Sequence, residues 1–196
     1  MRRYGRLAVL LCALFLGGCG GTKVPDVVEV PTVSVDKDGI ITVWQIGEFD
    51  KAYYNLAELS AMAESEAAQY NAEKGREGAV ALEKAEALDA GKVMVVYRFD
   101  GWESCSDFGE EKLFFGTVQE AAENGFDIDI AMKSVKDGAA LSGELLQETG
   151  KLVVTGMKAD IYCSGKVAYI SEGASVNGDG SIKPSGETEL TYILLK

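Results

Sequence analysis

Histidine is absent from the whole 196-residue chain. That absence removes the commonest general base near neutral pH, the Ser-His and Cys-His nucleophile pairs, and the usual zinc ligands. Basic residues are also scarce, with 19 Lys and Arg against 31 Asp and Glu, for a net charge of −12. Nucleic acids and anionic lipid head groups both recognise clustered Lys and Arg, so neither is an expected partner. The chain has no internal repeat, and its glycines sit in turns rather than ahead of a helix in a βαβ unit, which excludes a phosphate cradle. The enzyme chemistry left open is a carboxylate pair or a Ser-Lys arrangement. Acids are too abundant here for the sequence to single out one pair.

The N-terminus is informative. Met1-Arg2-Arg3-Tyr4-Gly5-Arg6 is followed by an apolar run from Leu7 to Leu16 and then Gly17-Gly18-Cys19. A cationic start, a short apolar segment and small residues at a cut site are the three parts of a secretory signal. Leu7 to Leu16 is about half the roughly 20 residues that a helix needs to cross a bilayer. Leu16-Gly17-Gly18-Cys19 resembles the lipobox of bacterial lipoproteins at all four positions. The resemblance implies cleavage between Gly18 and Cys19, diacylglycerol joined to the Cys19 thiol, and fatty acyl chains such as palmitate holding the chain on a membrane. Each buried methylene contributes roughly 0.8 kcal/mol, so two or three chains anchor stably where one does not. Residue 20 is Gly and not Asp, unlike the inner-membrane retention signal of two-membrane bacteria.

The expected layout is therefore a removed leader at 1–18, a lipidated tether at 19–26 and one domain at 27–196. Losing the leader takes away three arginines and no acid, which carries the charge to −15 over 178 residues. The length suits a single domain with its own core. Solute-binding lipoproteins are two-lobed and much longer. Leader and layout instead resemble the small lipoproteins common in Gram-positive bacteria.

Alternating apolar residues at Val27–Val35 and Ile40–Ile46, with Asp36-Lys37-Asp38-Gly39 between them, predict an N-terminal hairpin. Asn55 and Glu58 have capping-box spacing ahead of a stripe of Leu56, Leu59, Met62, Ala63, Ala67 and Tyr70, and Gly75 closes the run. A long helix over about 55–75 should lay this stripe on a sheet. Residues 79–90 are read as a strand paired with Val93–Phe99, despite their helix-favouring composition. A helical turn at Trp102–Phe108 and a strand at Leu113–Phe115 follow. Thr117 and Glu120 form a second capping box, which opens a short helix over about 117–125. Phe126–Val135, Lys151–Met157, Ala159–Cys163, Lys166–Ser171 and Glu189–Leu195 then read as strands. The fold class is α+β, a largely antiparallel sheet packed by one long and one short helix.

With Cys12 in the leader and Cys19 lipidated, Cys105 and Cys163 remain as a candidate disulfide of an exported domain. Ser175-Val176-Asn177-Gly178-Asp179-Gly180-Ser181-Ile182 resembles a dockerin or EF-hand calcium loop, with Asn177 and Asp179 as its weak metal candidates. Ser175 stands where the first carboxylate belongs and Gly186 where the twelfth-position acid belongs, so the stretch is first a hairpin turn. Trp44, Trp102, Tyr53, Tyr54 and Phe108 are core aromatics first and a sugar- or peptide-binding surface second.

These features predict a lipid-anchored protein on the extracytoplasmic face of the cell membrane, acting as a non-enzymatic binding or structural module of the envelope. The alternatives are an envelope hydrolase using a carboxylate pair and a calcium-dependent binding module. No cofactor is expected beyond the covalent lipid on Cys19. The expected partners are the membrane, through that lipid, and an envelope or extracellular ligand or protein.

Overall fold

The computed structural model describes residues 23–141 and 143–196. Twelve strands and three helices are present among them: β1 (Thr32–Val35), β2 (Ile41–Glu48), α1 (Leu56–Lys74), β3 (Val80–Leu88), β4 (Lys92–Phe99), α2 (Trp102–Gly109), β5 (Leu113–Thr117), α3 (Val118–Glu123), β6 (Met132–Ser134), β7 (Lys151–Thr155), β8 (Asp160–Cys163), β9 (Val167–Ser171), β10 (Ala174–Val176), β11 (Ile182–Pro184) and β12 (Thr191–Leu195). The class is α+β, as expected. The strands form two sheets and not one, a seven-stranded sheet in the order β10-β11-β8-β1-β2-β4-β3 and a five-stranded sheet in the order β5-β7-β12-β9-β6. All strand pairs are antiparallel except β1 with β8.

One apolar cluster lies between the sheets. The seven-stranded sheet contributes Val33, Val35, Ile41, Val95, Tyr97, Phe99 and Ile161, and the five-stranded sheet Leu113, Val153, Ile170, Ile193 and Leu195. A second cluster holds Phe114, Met132, Leu152, Val154, Tyr192 and Leu194 on the other face of the five-stranded sheet, beneath Val118 and Ala121 of α3 and Leu145. The five-stranded sheet is thus buried on both faces, and all five residues of β12 are buried. This explains why Tyr192 to Leu195 reads as an unbroken apolar run without polar alternation. Each fully buried Ile or Leu contributes roughly 2 to 3 kcal/mol.

Local signals place the helix ends. The Asn55 side chain accepts from the Ala57 and Glu58 N–H groups, and Gly75 is left-handed at φ 62°. Thr117 and Glu120 make both halves of their capping box. The stripe on α1 is only partly used, because Ala63 and Ala67 are buried, Leu59 and Tyr70 pack at the core margin, and Met62 is 61% exposed. Two small alanines allow a close approach to the sheet, and the larger side chains lie around that contact. Polar links fasten α1 to α2, where Tyr70 Oη donates to Asp107 at 3.0 Å and Lys74 Nζ pairs with the same carboxylate at 2.6 Å. Lys74 and then Tyr70 hold the Asp107 carboxyl below its ordinary range.

Several expected strands are shorter than the sequence suggested, Lys151–Met157 ending at Thr155 and Glu189–Leu195 starting at Thr191, and two lose more than half their length. Val27–Val35 is a strand only from Thr32, because Pro31 has no N–H to donate to a ladder. Phe126–Val135 is a strand only at Met132–Ser134. Phe126, Ile128 and Ile130 instead pack on the second cluster, and the Asp129 N–H turns back to the Asp127 side chain at 2.9 Å. Such local bonding competes with a ladder. Residues 79–90, helix-favouring by propensity, do form β3, with a register shift between Leu82 and Lys84.

Gly150 has φ 129°, and a Cβ built there would lie 2.1 Å from the Leu195 carbonyl oxygen. Gly150→Ala should therefore cost about 3 kcal/mol, by forcing strained backbone against β12. Urea denaturation of the purified variant measures this, and a change under about 1 kcal/mol would contradict the tight approach.

Candidate functional site

Gly18 and Cys19, the expected cleavage and lipidation residues, lie outside the described residues. The chain enters the fold through residues 23–31, which form neither strand nor helix, and joins β1 at Thr32. Two clefts flank this entry. One, of about 320 Å³, is lined by Val30, Pro31, Lys158, Asp160, Lys183 and Ser185 among others. The other, of about 420 Å³, lies between Val27–Val30 and the side chains of Asp160, Tyr162 and Asp179. Both are open to solvent, and each mixes valine or proline surface with a few charges.

Asp179 is the most heavily bonded acid lining the second cleft. Its carboxylate accepts from Tyr162 Oη at 2.6 Å, from the Ser181 N–H at 3.0 Å and from Ser181 Oγ at 2.8 Å. The Tyr162 bond foremost, then those from Ser181, hold its pKa down at about 2. Asn177 donates to Ser181 Oγ at 2.9 Å, and its backbone N–H donates to the Ser181 carbonyl at 2.9 Å. The stretch resembling a calcium loop is thus the turn of the β10–β11 hairpin, and Asn177 and Asp179 are engaged in closing it. No group of three or more acids or cysteines converges as a metal site among the described residues.

Cys105 on α2 and Cys163 on β8 stand as free, buried thiols within the same apolar cluster. Burial pushes each thiol from its ordinary 9.0 up to about 12. The thiolate is the reactive and metal-binding form. Neither side chain presents it near neutral pH, so both act as small apolar residues.

The five aromatics singled out in the sequence fall in different places. Trp102 packs on Phe114 with ring centroids 5.1 Å apart, and Phe108 sits among Tyr70, Tyr97 and Phe99. Trp44 is half-buried on β2, in register with Thr32 and Val96. Only Tyr53 and Tyr54 stand out, at 77% and 42% exposure. They are joined by Phe49, which the sequence reading missed. Phe49 stacks on Tyr54 at 5.1 Å, and Tyr53 meets Tyr54 edge-on at 4.9 Å. The signal was the Phe49-Asp50-Lys51-Ala52-Tyr53-Tyr54 spacing, which a turn closed by Tyr54 N–H to Lys51 O at 3.0 Å folds into one cluster.

Acidic side chains gather in a further cleft among the described residues. A cleft of about 380 Å³ gathers Asp38, Asp100, Glu103 and Glu120 near Trp102. Asp100 is bound by Arg76 at 2.7 Å and Ser104 at 2.7 Å, and Glu120 is held by the Thr117 N–H at 2.6 Å. A general acid must be held protonated, its pKa raised. The displaced carboxyls Asp107, Glu120, Asp137, Asp179 and Glu189 all move downward.

Compared with protein-family models, with curated proteins and with solved structures, the chain matches none.

Two predictions concern these side chains. The raised thiol values mean that Cys105 and Cys163 support the fold fully below about pH 9 and lose that contribution as pH climbs toward 12. A chain starting at Gly20 should leave both thiols unreactive toward Ellman's reagent at pH 8 and expose two in guanidinium. Reaction of either thiol in the folded protein would overturn their burial. Asp179, with its lowered value, stabilises the turn above about pH 4 and loses this effect as pH falls toward 2. Asp179→Asn should lower the melting temperature at pH 6 and flatten its dependence between pH 4 and 2. An unchanged acid limb in the variant would count against the bond to Tyr162.

Proposed function

We propose that this chain is a lipid-anchored, extracytoplasmic lipoprotein that serves as a non-enzymatic binding or structural module of the cell envelope. The observation that carries the reading is Leu16-Gly17-Gly18-Cys19, placed after a cationic start and a ten-residue apolar run. A tether between Cys19 and Thr32 fits the same reading. Residues 23–30 take no part in the core, and twelve residues extended reach at most about 40 Å. No helix among the described residues is long and apolar enough to cross a membrane.

The non-enzymatic half rests on how the polar side chains are employed. Asp100, Glu120 and Asp179 have structural partners, the two thiols are buried, and histidine is absent. The open clefts beside residues 25–31 and the exposed rings of Tyr53 and Tyr54 are among the surfaces available for binding.

Expression of the full chain in a bacterium fed radiolabelled palmitate tests the anchor. The wild type should incorporate label and partition into detergent, and Cys19→Ser should lose the label and appear in the aqueous phase. An unlabelled wild type, or a Cys19→Ser chain that keeps its label, would sink the proposal.

A further inference from the structure

The five-stranded sheet carries a cleft of about 340 Å³ at the end where β12 begins. That volume lies at the small end of the range that ligand pockets span. Ser171 and Glu172 reach it from the end of β9, Glu189, Leu190 and Tyr192 from the start of β12, and Asp127 and Ile130 from the segment ahead of β6. These pieces are fastened to one another. The Glu172 N–H donates to the Ala131 carbonyl at 3.4 Å, and Lys112 Nζ, ahead of β5, pairs with Glu189 at 2.7 Å.

Tyr192 is the unusual side chain here. It is 4% exposed, yet its hydroxyl has no hydrogen-bond partner among the described residues, where only the Tyr192 backbone N–H is bonded, to Ser171 Oγ. No fully buried polar side-chain atom among those residues lacks a partner, so this hydroxyl meets solvent, and the cleft is where Tyr192 does so. Burial first, then the charges of Asp127 and Glu189, push its pKa above the ordinary value, which shows that both carboxylates act on it. A nearly buried hydroxyl that spends neither its proton nor its lone pairs on the protein is open to a ligand.

The rest of the lining states what that ligand is. Asp127, Glu172 and Glu189 face a single cation, Lys112, and Asp127 and Glu172 have no ion-pair partner among the described residues. An anion is therefore repelled. The three carboxylates do not converge as a metal site, and Ile130, Leu190 and the Tyr192 ring supply an apolar wall that a hydrated inorganic ion cannot use. An organic ammonium uses both parts, because its methylenes cover the apolar wall while its N–H groups donate to carboxylate and hydroxyl oxygens.

We infer that this cleft is a binding site for a primary alkylammonium, with the Tyr192 hydroxyl and the Asp127 and Glu172 carboxylates receiving the charged head. This rests on the reading of the chain as a binding module and is independent of the anchor at Cys19. The head group accepts no substitute of opposite charge, and the stem lies along Leu190 and Ile130.

The test uses the full chain in a nonionic detergent, with its tyrosines carrying carbon-13 at Cζ, the carbon that bears the hydroxyl. Tyr192 is assigned as the signal missing from Tyr192→Phe. Pentylamine, protonated at pH 7, should shift that signal saturably, with a dissociation constant on the order of 1 mM for so small a ligand, and leave the other tyrosines unmoved. Pentanol, the same stem without charge, should bind about tenfold more weakly. Asp127→Asn combined with Glu172→Gln, both at exposed positions, should weaken pentylamine about tenfold, whereas Glu64→Gln on α1 should leave it unchanged. An amide of Nα-acetyl-lysine separates two sources of the same head group: tighter binding than pentylamine assigns the site to a lysine side chain of a partner, and weaker binding to a free amine. Equal affinity for pentanol and pentylamine, full affinity in the double variant, or an unmoved Tyr192 signal each overturns the site. Palmitate labelling reads the anchor separately, so a labelled chain whose Tyr192 signal stays still loses the amine site alone.

Discussion

The constraint on which the rest of the structure depends is the burial of the five-stranded sheet on both faces. β12 lies at its centre, between β7 and β9, with every residue from Thr191 to Leu195 out of water. One set of its side chains, Ile193 and Leu195, fills the space against the seven-stranded sheet, and the alternate set, Tyr192 and Leu194, meets the layer of α3 and Leu145. The molecule is therefore layered around this strand. Gly150 has no room for a side chain because its backbone lies against Leu195, and the Tyr192 N–H is met by Ser171 Oγ at 3.0 Å. A sheet covered on both sides leaves its backbone groups few partners outside the ladder, and unpaired ones would be costly.

Acidity and rigidity are connected in this protein. Many of the acids that make the chain so negative are structural at close range: Asp100 and Asp107 brace α1 and α2, Glu120 caps α3, and Asp179 closes the β10–β11 turn. Hydrogen bonds to the charged form are what lower the values of Asp107, Glu120 and Asp179. An acid used in this way stabilises the fold and is removed from acid–base chemistry.

Much of the fold was legible in the sequence, for identifiable reasons. Asn55, Gly75, Thr117 and Glu120 act on backbone groups within four residues of themselves, so their signals read correctly without a partner strand. Lys92 to Phe99 reads as a strand by β-branched and aromatic content, and residues 80–88 were legible as its hairpin partner through the turn that joins them. Phe126 to Ile130 was misread because its apolar alternation is real, yet it serves to cover a sheet face and not to extend a sheet edge. The division into two sheets was not legible, since β1 beside β8 and β12 between β7 and β9 are contacts between distant parts of the chain. Of the aromatics, the packing of Trp102 and Phe108 followed the core reading, whereas the exposure of Tyr53 and Tyr54 departed from it and Phe49 was not seen.

What the sequence by itself determined is local: where helices begin and end, which stretches turn, the α+β class, and the lipobox pattern at Leu16 to Cys19 that carries the functional proposal. Those properties depend on residues a few positions apart. Only the tertiary structure decided that Cys105 and Cys163 are separate buried thiols, that Asp179 holds a turn through Tyr162, and that the segment at 49–54 is tied to the β3–β4 turn. Each depends on strand register and layer order, which are set by how apolar faces from distant segments bury one another and are not encoded at any single position.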